Sequence, residues 1–162
     1  MASPGRGERV VGFGYHSSSW YVLIQKDGTR HININAFGAA TVGEVKEVHH
    51  ERRDSCRLSF PSYQVNARFD GGMIGGPVTS DRGRLCGIIC LNLLPTEADQ
   101  EHVSYAASLW PLMAIPINVT SEGRFCSQSY LLLELAKVGI IQAFDWEKVE
   151  LVQNEGSYGV WM

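Results

Sequence analysis

The residues with the clearest chemical potential form a glycine-rich segment, Gly71-Gly72-Met73-Ile74-Gly75-Gly76-Pro77-Val78. Successive glycines allow backbone N–H groups to converge on one point, which is an arrangement that can stabilise an anion. The residue at the centre is Ile74, which has no proton to release and no lone pair, so it cannot form a covalent intermediate. The segment therefore offers hydrogen-bond donors without an attacking group. A glycine-rich β-turn with no anion-binding role is the alternative interpretation.

Seven other side chains could take part in catalysis. They are the five histidines, His16, His31, His49, His50 and His102, and two cysteines that lie in one apolar run, Cys86 and Cys90. His49 and His50 are consecutive in a predicted strand, so at most one of them can face a given site. We expect each histidine to be a surface or turn residue rather than a base. Burial in an apolar strand raises a thiol pKa, which argues against nucleophilic cysteines. Asp70 precedes the glycine segment without an evident partner, and we expect a turn residue there.

The elements that must position these residues are predominantly strands. The pattern predicts them at Val10–Tyr15, Trp20–Gln25, Arg30–Ala36, Thr41–His50, Cys56–Phe60, Tyr63–Phe69, Pro77–Thr79 and Leu85–Leu94. The turn at Asp27-Gly28 predicts a hairpin, in which Ile32 and Ile34 alternate with asparagines to give one apolar face and one polar face. A second hairpin is predicted around Ser80–Arg84. The run from Leu85 to Leu91 is apolar in both alternations, which predicts a strand buried on both faces.

The C-terminal part of the chain has a different pattern. Ser127 or Ser129 is a candidate cap for a helix that runs through Tyr130, Leu131, Leu132, Leu135 and Val138 and ends at Gly139. A second, short helical piece is predicted at Asp145–Val149. The leucine stripe of the main helix predicts that it covers the sheet.

The glycine segment and the residues after it resemble the second β-barrel of the trypsin-like (chymotrypsin-fold) serine peptidases. In that family the loop G-x-S-G-G-P holds the nucleophile and is followed by a hairpin and a strand with a G-[IV]-[IV] run. Here Pro77-Val78, the turn at Asp81–Gly83 and Gly87-Ile88-Ile89 follow in that order. The match covers Phe69–Leu91 and extends more weakly back to Val10.

This resemblance implies a mainly β fold and two regions. Residues 1–115 would form a single chymotrypsin-type, six-stranded antiparallel β-barrel, which is half of the two-barrel peptidase fold. Residues 116–162 have no counterpart in the family and would form a helical C-terminal extension packed on the barrel.

The resemblance also implies a vestigial site. The N–H groups of Gly72 and Ile74 would correspond to the oxyanion hole, in a binding loop formed by Gly72, Met73, Ile74, Gly75 and Gly76, with Ile74 at the nucleophile position. The family takes its histidine base and orienting carboxylate from the first barrel. Only 73 residues precede Ile74, which is enough for one barrel and too few for two. We therefore do not expect hydrolysis, and expect no catalytic residue, metal or cofactor.

The function predicted from these features is a catalytically inactive homologue, a pseudo-protease, that acts as a protein- or peptide-binding or assembly module. Peptidases bind peptides as an added strand, which does not require the serine. A missing first barrel would leave an apolar patch for a partner protein, a peptide or a second copy, with Trp20, Trp110 and Trp161 as candidate contacts.

Two alternatives remain open. The chain can be a region or fragment of a longer protein related to trypsin-like peptidases, since about eight residues precede the first strand. It can also be an enzyme of unrelated chemistry on a small β-barrel, which would need a convergent polar cluster.

Composition limits the other partners and the compartment. The net charge is −3, and no basic face is evident for nucleic acid. No apolar run approaches the roughly 18 residues of a membrane span, and no signal peptide is recognisable. We expect the cysteines, Cys56, Cys86, Cys90 and Cys126, to be buried free thiols, and the protein to be cytoplasmic.

Overall fold

The main sheet has six antiparallel strands. In the computed structural model, which describes residues 3–93, 101–121, 124–154 and 157–161, they are β1 (Arg9–Ile24), β2 (Arg30–His49), β3 (Ser62–Val65), β4 (Pro77–Ser80), β5 (Leu85–Leu93) and β6 (Val103–Ser108). The order β1-β2-β3-β6-β5-β4 closes on itself as a barrel because β4 also pairs with β1. The prediction of a mainly β chain with six antiparallel strands is confirmed.

The inner side of this sheet holds the larger of two apolar cores. Residues from all six strands and from the glycine segment meet there and are buried: Val10, Val45, Tyr63, Val65, Ala67, Phe69, Met73, Val78, Cys86, Ile89 and Ala106. The buried hydroxyl group of Ser104 hydrogen-bonds the chain just before the glycine segment. Ser104 Oγ donates to the carbonyl of Ala67 (2.7 Å) and accepts from the N–H of Phe69 (3.1 Å). The chain before the glycine segment is thereby tied to β6.

The β1–β2 hairpin is far longer than the sheet that it helps to close. Its strands pair from Arg9 opposite Glu44 to Ile24 opposite Arg30, with one register shift between Tyr15 and Ser17. However, β4 pairs with β1 only at Val10–Gly12, and β3 pairs with β2 only at Val45–His49. The residues between these pairings form a two-stranded ribbon. The four strands predicted between Val10 and His50 are therefore parts of two long strands, β1 and β2. The predicted turn is confirmed, with the Asp27 carboxylate accepting from the N–H of Thr29 (2.9 Å).

The predicted strand at Cys56–Phe60 is wrong. The side-chain Oδ1 of Asp54 accepts hydrogen bonds from the backbone N–H groups of Cys56 (2.9 Å), Arg57 (2.6 Å) and Leu58 (3.2 Å). These bonds wind the segment into a turn, and they also lower the pKa of Asp54, with the Arg57 N–H as the largest cause. The partner of β2 is instead β3. The sixth strand, β6, was not predicted.

The prediction that the strand from Leu85 is buried on both faces is also wrong. Cys86 and Ile89 are buried, whereas Leu85 and Ile88 are exposed. Cys86 is the extra residue of a β-bulge, since Val78 lies opposite Gly87 and Thr79 opposite Leu85. Cys86 and Ile89 can therefore share one core face, and the apolar character of Leu85 and Ile88 overstates their burial.

The C-terminal residues form two hairpins around one short helix. The strands are β7 (Pro116–Ser121), β8 (Arg124–Leu131), β9 (Glu150–Asn154) and β10 (Ser157–Trp161), and the helix is α1 (Leu132–Lys137). The helix begins at Leu132 rather than after Ser127 or Ser129, because β8 continues through Tyr130 and Leu131 in its pairing with β7. It ends as predicted before Gly139. The short helical piece near Asp145 is a 3₁₀ turn at Trp146–Lys148. In the described residues of the extension, only these two segments are helical.

The helix contributes to a second core. Leu133 meets Met113 and Val149 there, with Trp110 and Trp146 alongside. A contact between the two regions is made by the Arg84 guanidinium, which lies 3.7 Å from the centre of the Phe144 ring. Trp110 is therefore a packing residue, and the side chain of Trp161 lies outside the described residues. None of the helices in the described ranges has the length and apolarity needed to traverse a lipid bilayer.

Replacing Ile89 tests this assignment of the core. Ile89→Ala should lower the free energy of unfolding by about 2–5 kcal/mol, because it opens a cavity inside the closed sheet. The neighbouring Ile88→Ala, on the exposed side of the same strand, should cost less than about 1 kcal/mol. Urea denaturation of both variants measures the difference, and equal losses would contradict the assigned inner face.

Candidate functional site

The glycine segment is a tight loop tied to β5. It opens with a 3₁₀ turn at Gly71–Met73, where the N–H of Met73 donates to the carbonyl of Asp70 (2.8 Å). Beyond Ile74, the N–H of Gly75 donates to the carbonyl of Ile89 (2.8 Å), and the Ile89 N–H donates to the carbonyl of Gly76 (2.9 Å). These bonds fix both ends of the loop.

Two glycines of the loop have purely structural reasons to be glycine. Gly75 has φ +86°, a left-handed conformation that side chains disfavour. A Cβ atom on Gly76 would lie 1.9 Å from the carbonyl oxygen of Phe13. The loop can therefore lie directly on the backbone of β1. The left-handed φ of Gly75 and the close packing of Gly76 against β1 account for this glycine pair without any bound anion.

Ile74 lies at the surface beside an apolar groove. The residue is 51% exposed, and the groove of about 490 Å³ is lined by Phe13, Gly14, Tyr15, Gly72, Ile74, Gly75, Gly76 and Pro77. The Ile74 N–H, one of the two predicted oxyanion donors, points into the 3₁₀ turn, where it donates to the carbonyl of Gly71 (3.4 Å). Met73 is buried in the barrel core. Of the predicted loop residues, Met73 thus serves packing, and the other four line the groove.

A polar cluster that the sequence did not predict lies at the start of the loop. His16 Nδ1 is 2.5 Å from Asp70 Oδ2, and Arg68 Nε donates to Asp70 Oδ1 (2.7 Å). The expectation that Asp70 lacks a partner is therefore wrong. Its hydrogen bond with His16 and then that with Arg68 lower the pKa of Asp70.

The geometry of β1 explains why this pair was missed. Tyr15 lies opposite Gly38 and Ser17 lies opposite Phe37, so His16 is the extra residue of a β-bulge. Its side chain meets a carboxylate 54 positions away in the sequence. The one available signal was the position of Asp70 directly before the loop.

The remaining candidate nucleophiles and bases lie elsewhere. His31 contacts Gln25 near the hairpin tip (2.8 Å), and His49 lies beside the Tyr105 ring. Burial raises the pKa of the Cys86 thiol and raises that of Cys90 to about 11, so both stay protonated at neutral pH. These two and Cys56 are free, but Cys56 is exposed rather than buried. Cys126 lies outside the residues whose side chains are described.

The β1–β2 hairpin presents a long apolar surface that continues into the groove. Residues directly opposite in an antiparallel pair share a face, and faces alternate along each strand. Val10 and Gly43 are opposite each other and buried, so the next pair, Val11 and Val42, belongs to the outer face. Eight large apolar residues of that face, which we name the outer stripe, are 40–71% exposed: Phe13, Tyr15, Trp20, Val22, Ile24, Ile32, Ile34 and Val42. Phe13 and Tyr15 belong to both the stripe and the groove.

Comparison with known proteins leaves the chain without an assigned family. No family model matches it, and no curated protein matches it. In the described part of the chain, no group of three or more His, Cys, Asp or Glu residues is arranged to hold a metal ion. The candidate site consists of the groove at Ile74, the His16–Asp70 pair and the outer stripe.

The role of Gly76 can be tested against a glycine with open surroundings. Gly76→Ala should lower the free energy of unfolding by more than about 2 kcal/mol, because the methyl group would displace the loop from β1. Gly71→Ala should change it by less than about 1 kcal/mol, since a Cβ atom at Gly71 would have no neighbouring atom within 4 Å. Thermal or urea denaturation measures both. A tolerated Gly76→Ala would contradict the close contact.

The Asp70 cluster predicts a pH dependence of stability. Because the folded pKa of Asp70 is lowered, its contribution is present above the ordinary value of 3.8 and is lost as pH falls through the lowered pKa. Asp70→Asn should therefore cost up to about 1 kcal/mol at neutral pH and nothing at the acid end of the titration. Urea midpoints measured across pH test this, with Asp81→Asn in the exposed β4–β5 turn as control. A cost for Asp70→Asn that is constant with pH would contradict it.

Proposed function

We propose that this chain is a non-hydrolysing relative of the trypsin-like serine peptidases and that it serves as a protein- or peptide-binding or assembly module. The proposal includes a chymotrypsin-type arrangement for the closed six-stranded sheet. It rests on the motif at Phe69–Leu91, on the closed antiparallel strand order, and on the chemistry at Ile74.

Two independent features argue against acyl transfer. Ile74 supplies no nucleophile, and its N–H is bonded to Gly71 instead of being available to a developing oxyanion. Stabilisation of a tetrahedral intermediate needs donors that are already oriented toward the oxygen. The loop therefore lacks both the attacking group and one of the two implied donors.

The observation that carries a binding role is the outer stripe. Exposed apolar patches on monomeric proteins rarely exceed a few hundred Å², and larger ones mark interaction surfaces. The stripe runs along the entire hairpin and reaches Ile74 through Phe13 and Tyr15. Its position beside the loop is suited to a protein or an extended peptide.

The His16–Asp70 pair favours one second candidate, an enzyme of unrelated chemistry. A histidine oriented by a carboxylate is the form of a general base. Such an enzyme would have to draw its nucleophile from water or from a substrate, since Ile74 cannot provide one.

A fluorophosphonate probe distinguishes the proposals. We expect no labelling of the wild-type protein and none of Ile74→Ser, because the Ile74 N–H remains bonded within the turn. The matched control is His16→Ala combined with Ile74→Ser. Labelling of the wild type would overturn the inactive assignment. Labelling of Ile74→Ser that disappears in the double variant would show that His16 acts as a base and would contradict the closed donor geometry.

Incubation with a peptide library tests the same proposal at the level of turnover. Mass spectrometry should recover every peptide uncut after exposure to the wild type. Cleavage products that are lost in His16→Ala would instead support the second candidate.

A further inference from the structure

No other strand of the described residues covers the ribbon beyond the barrel. Between Ser17 and Phe37 its two strands pair with each other and with no other strand in the described part of the chain. An isolated two-stranded hairpin is marginally stable in water, and its edges remain open to pairing. A ribbon of this length that carries a continuous apolar face should be stabilised by a surface that packs on that face.

The area of the outer stripe matches the requirement for a dimer. Its three aromatic and five aliphatic residues, at 40–71% exposure, present on the order of 600 Å² of apolar surface. Two copies packed stripe to stripe would bury about 1,200 Å², the lower end of the range for specific interfaces. A patch of that size is at the upper limit for an ordinary monomer surface.

The charge pattern favours a second copy as the occupant. On the outer face, the residues from Phe13 to Ile24 and from Ile32 to Val42 are all uncharged. A surface that meets an identical surface must avoid opposing like charges, which cost several kcal/mol. The charged residues Lys26, Asp27 and Arg30 are confined to the tip of the hairpin. If the ribbons of two copies cross antiparallel, the tip charges of one copy therefore lie far from the tip charges of the other.

We propose that the outer stripe is a homodimer interface, in which the β1–β2 ribbons of two copies pack face to face about a two-fold axis. This inference rests on the proposed function, because it takes the binding surface proposed there, the outer stripe, and names a second copy of the chain as its partner. An isologous contact of this kind uses one patch twice and closes at two subunits, whereas edge-to-edge pairing of ribbons could continue into larger assemblies.

Sedimentation velocity of the full chain tests the proposal over roughly 1–300 μM, a range that brackets a micromolar dissociation constant. The test variant is Ile32→Thr with Ile34→Thr, which keeps β-branched residues in the strand and removes apolar surface from the stripe. The matched control is Asn33→Thr with Asn35→Thr, on the opposite face of the same strand. Circular dichroism of both establishes that the sheet is retained.

We expect a reversible monomer–dimer equilibrium for the wild type and the control. The Ile32→Thr/Ile34→Thr variant should raise the dimer dissociation constant at least tenfold, while the control should remain within about threefold of the wild type. A wild type that stays monomeric throughout would overturn the proposal, and the stripe would then be a surface for a different chain. Dimers or larger species that are insensitive to the isoleucine changes would overturn it in favour of edge pairing.

The two proposals fail separately. Monomeric behaviour removes the homodimer but leaves fluorophosphonate labelling as the test of inactivity. Labelling of the wild type refutes inactivity without changing the sedimentation result.

Discussion

The pairing of β1 with β2 over nearly their whole length is the constraint on which the other features depend. These strands have 16 and 20 residues, whereas the four strands that complete the barrel have four to nine. The first residues of β1 close the sheet against β4, the next seat the glycine loop, and the remainder extend beyond the core. The backbone groups along the ribbon are hydrogen-bonded between the two strands, but many of its apolar side chains remain exposed to solvent. This mismatch between pairing and burial produces the exposed stripe.

The glycine loop and the stripe are linked through β1. Gly76 can lie against the Phe13 carbonyl only because it has no side chain, and this contact sets the groove between Ile74 and β1. The loop therefore has a structural role in packing against β1. In the same loop the Ile74 N–H donates to the carbonyl of Gly71, inside the 3₁₀ turn.

Local sequence signals predicted the parts of the fold that local forces determine. The Asp27-Gly28 turn, the alternation of Ile32 and Ile34 with asparagines, and the helix end at Gly139 were all recognisable. The predictions failed where side-chain hydrogen bonds or pairing with a distant strand determine the local secondary structure. The Asp54 carboxylate turns a strand-like segment at Cys56, and pairing with β7 extends β8 into residues that have helical propensity. In the site, the loop was evident from its glycines, but the His16–Asp70 pair depends on a bulge and on a contact across 54 residues. No sequence periodicity encodes such a contact.

The central claim is that the ribbon is covered in solution by a second copy, and amide hydrogen exchange of the full chain tests it most directly. Protection of the amides between Ser17 and Phe37 should increase with protein concentration, because the covered ribbon opens less often. Protection of barrel amides at Val10, Val45 and Ile89 should stay constant over the same range. Ribbon amides that exchange at one rate at every concentration would contradict the account.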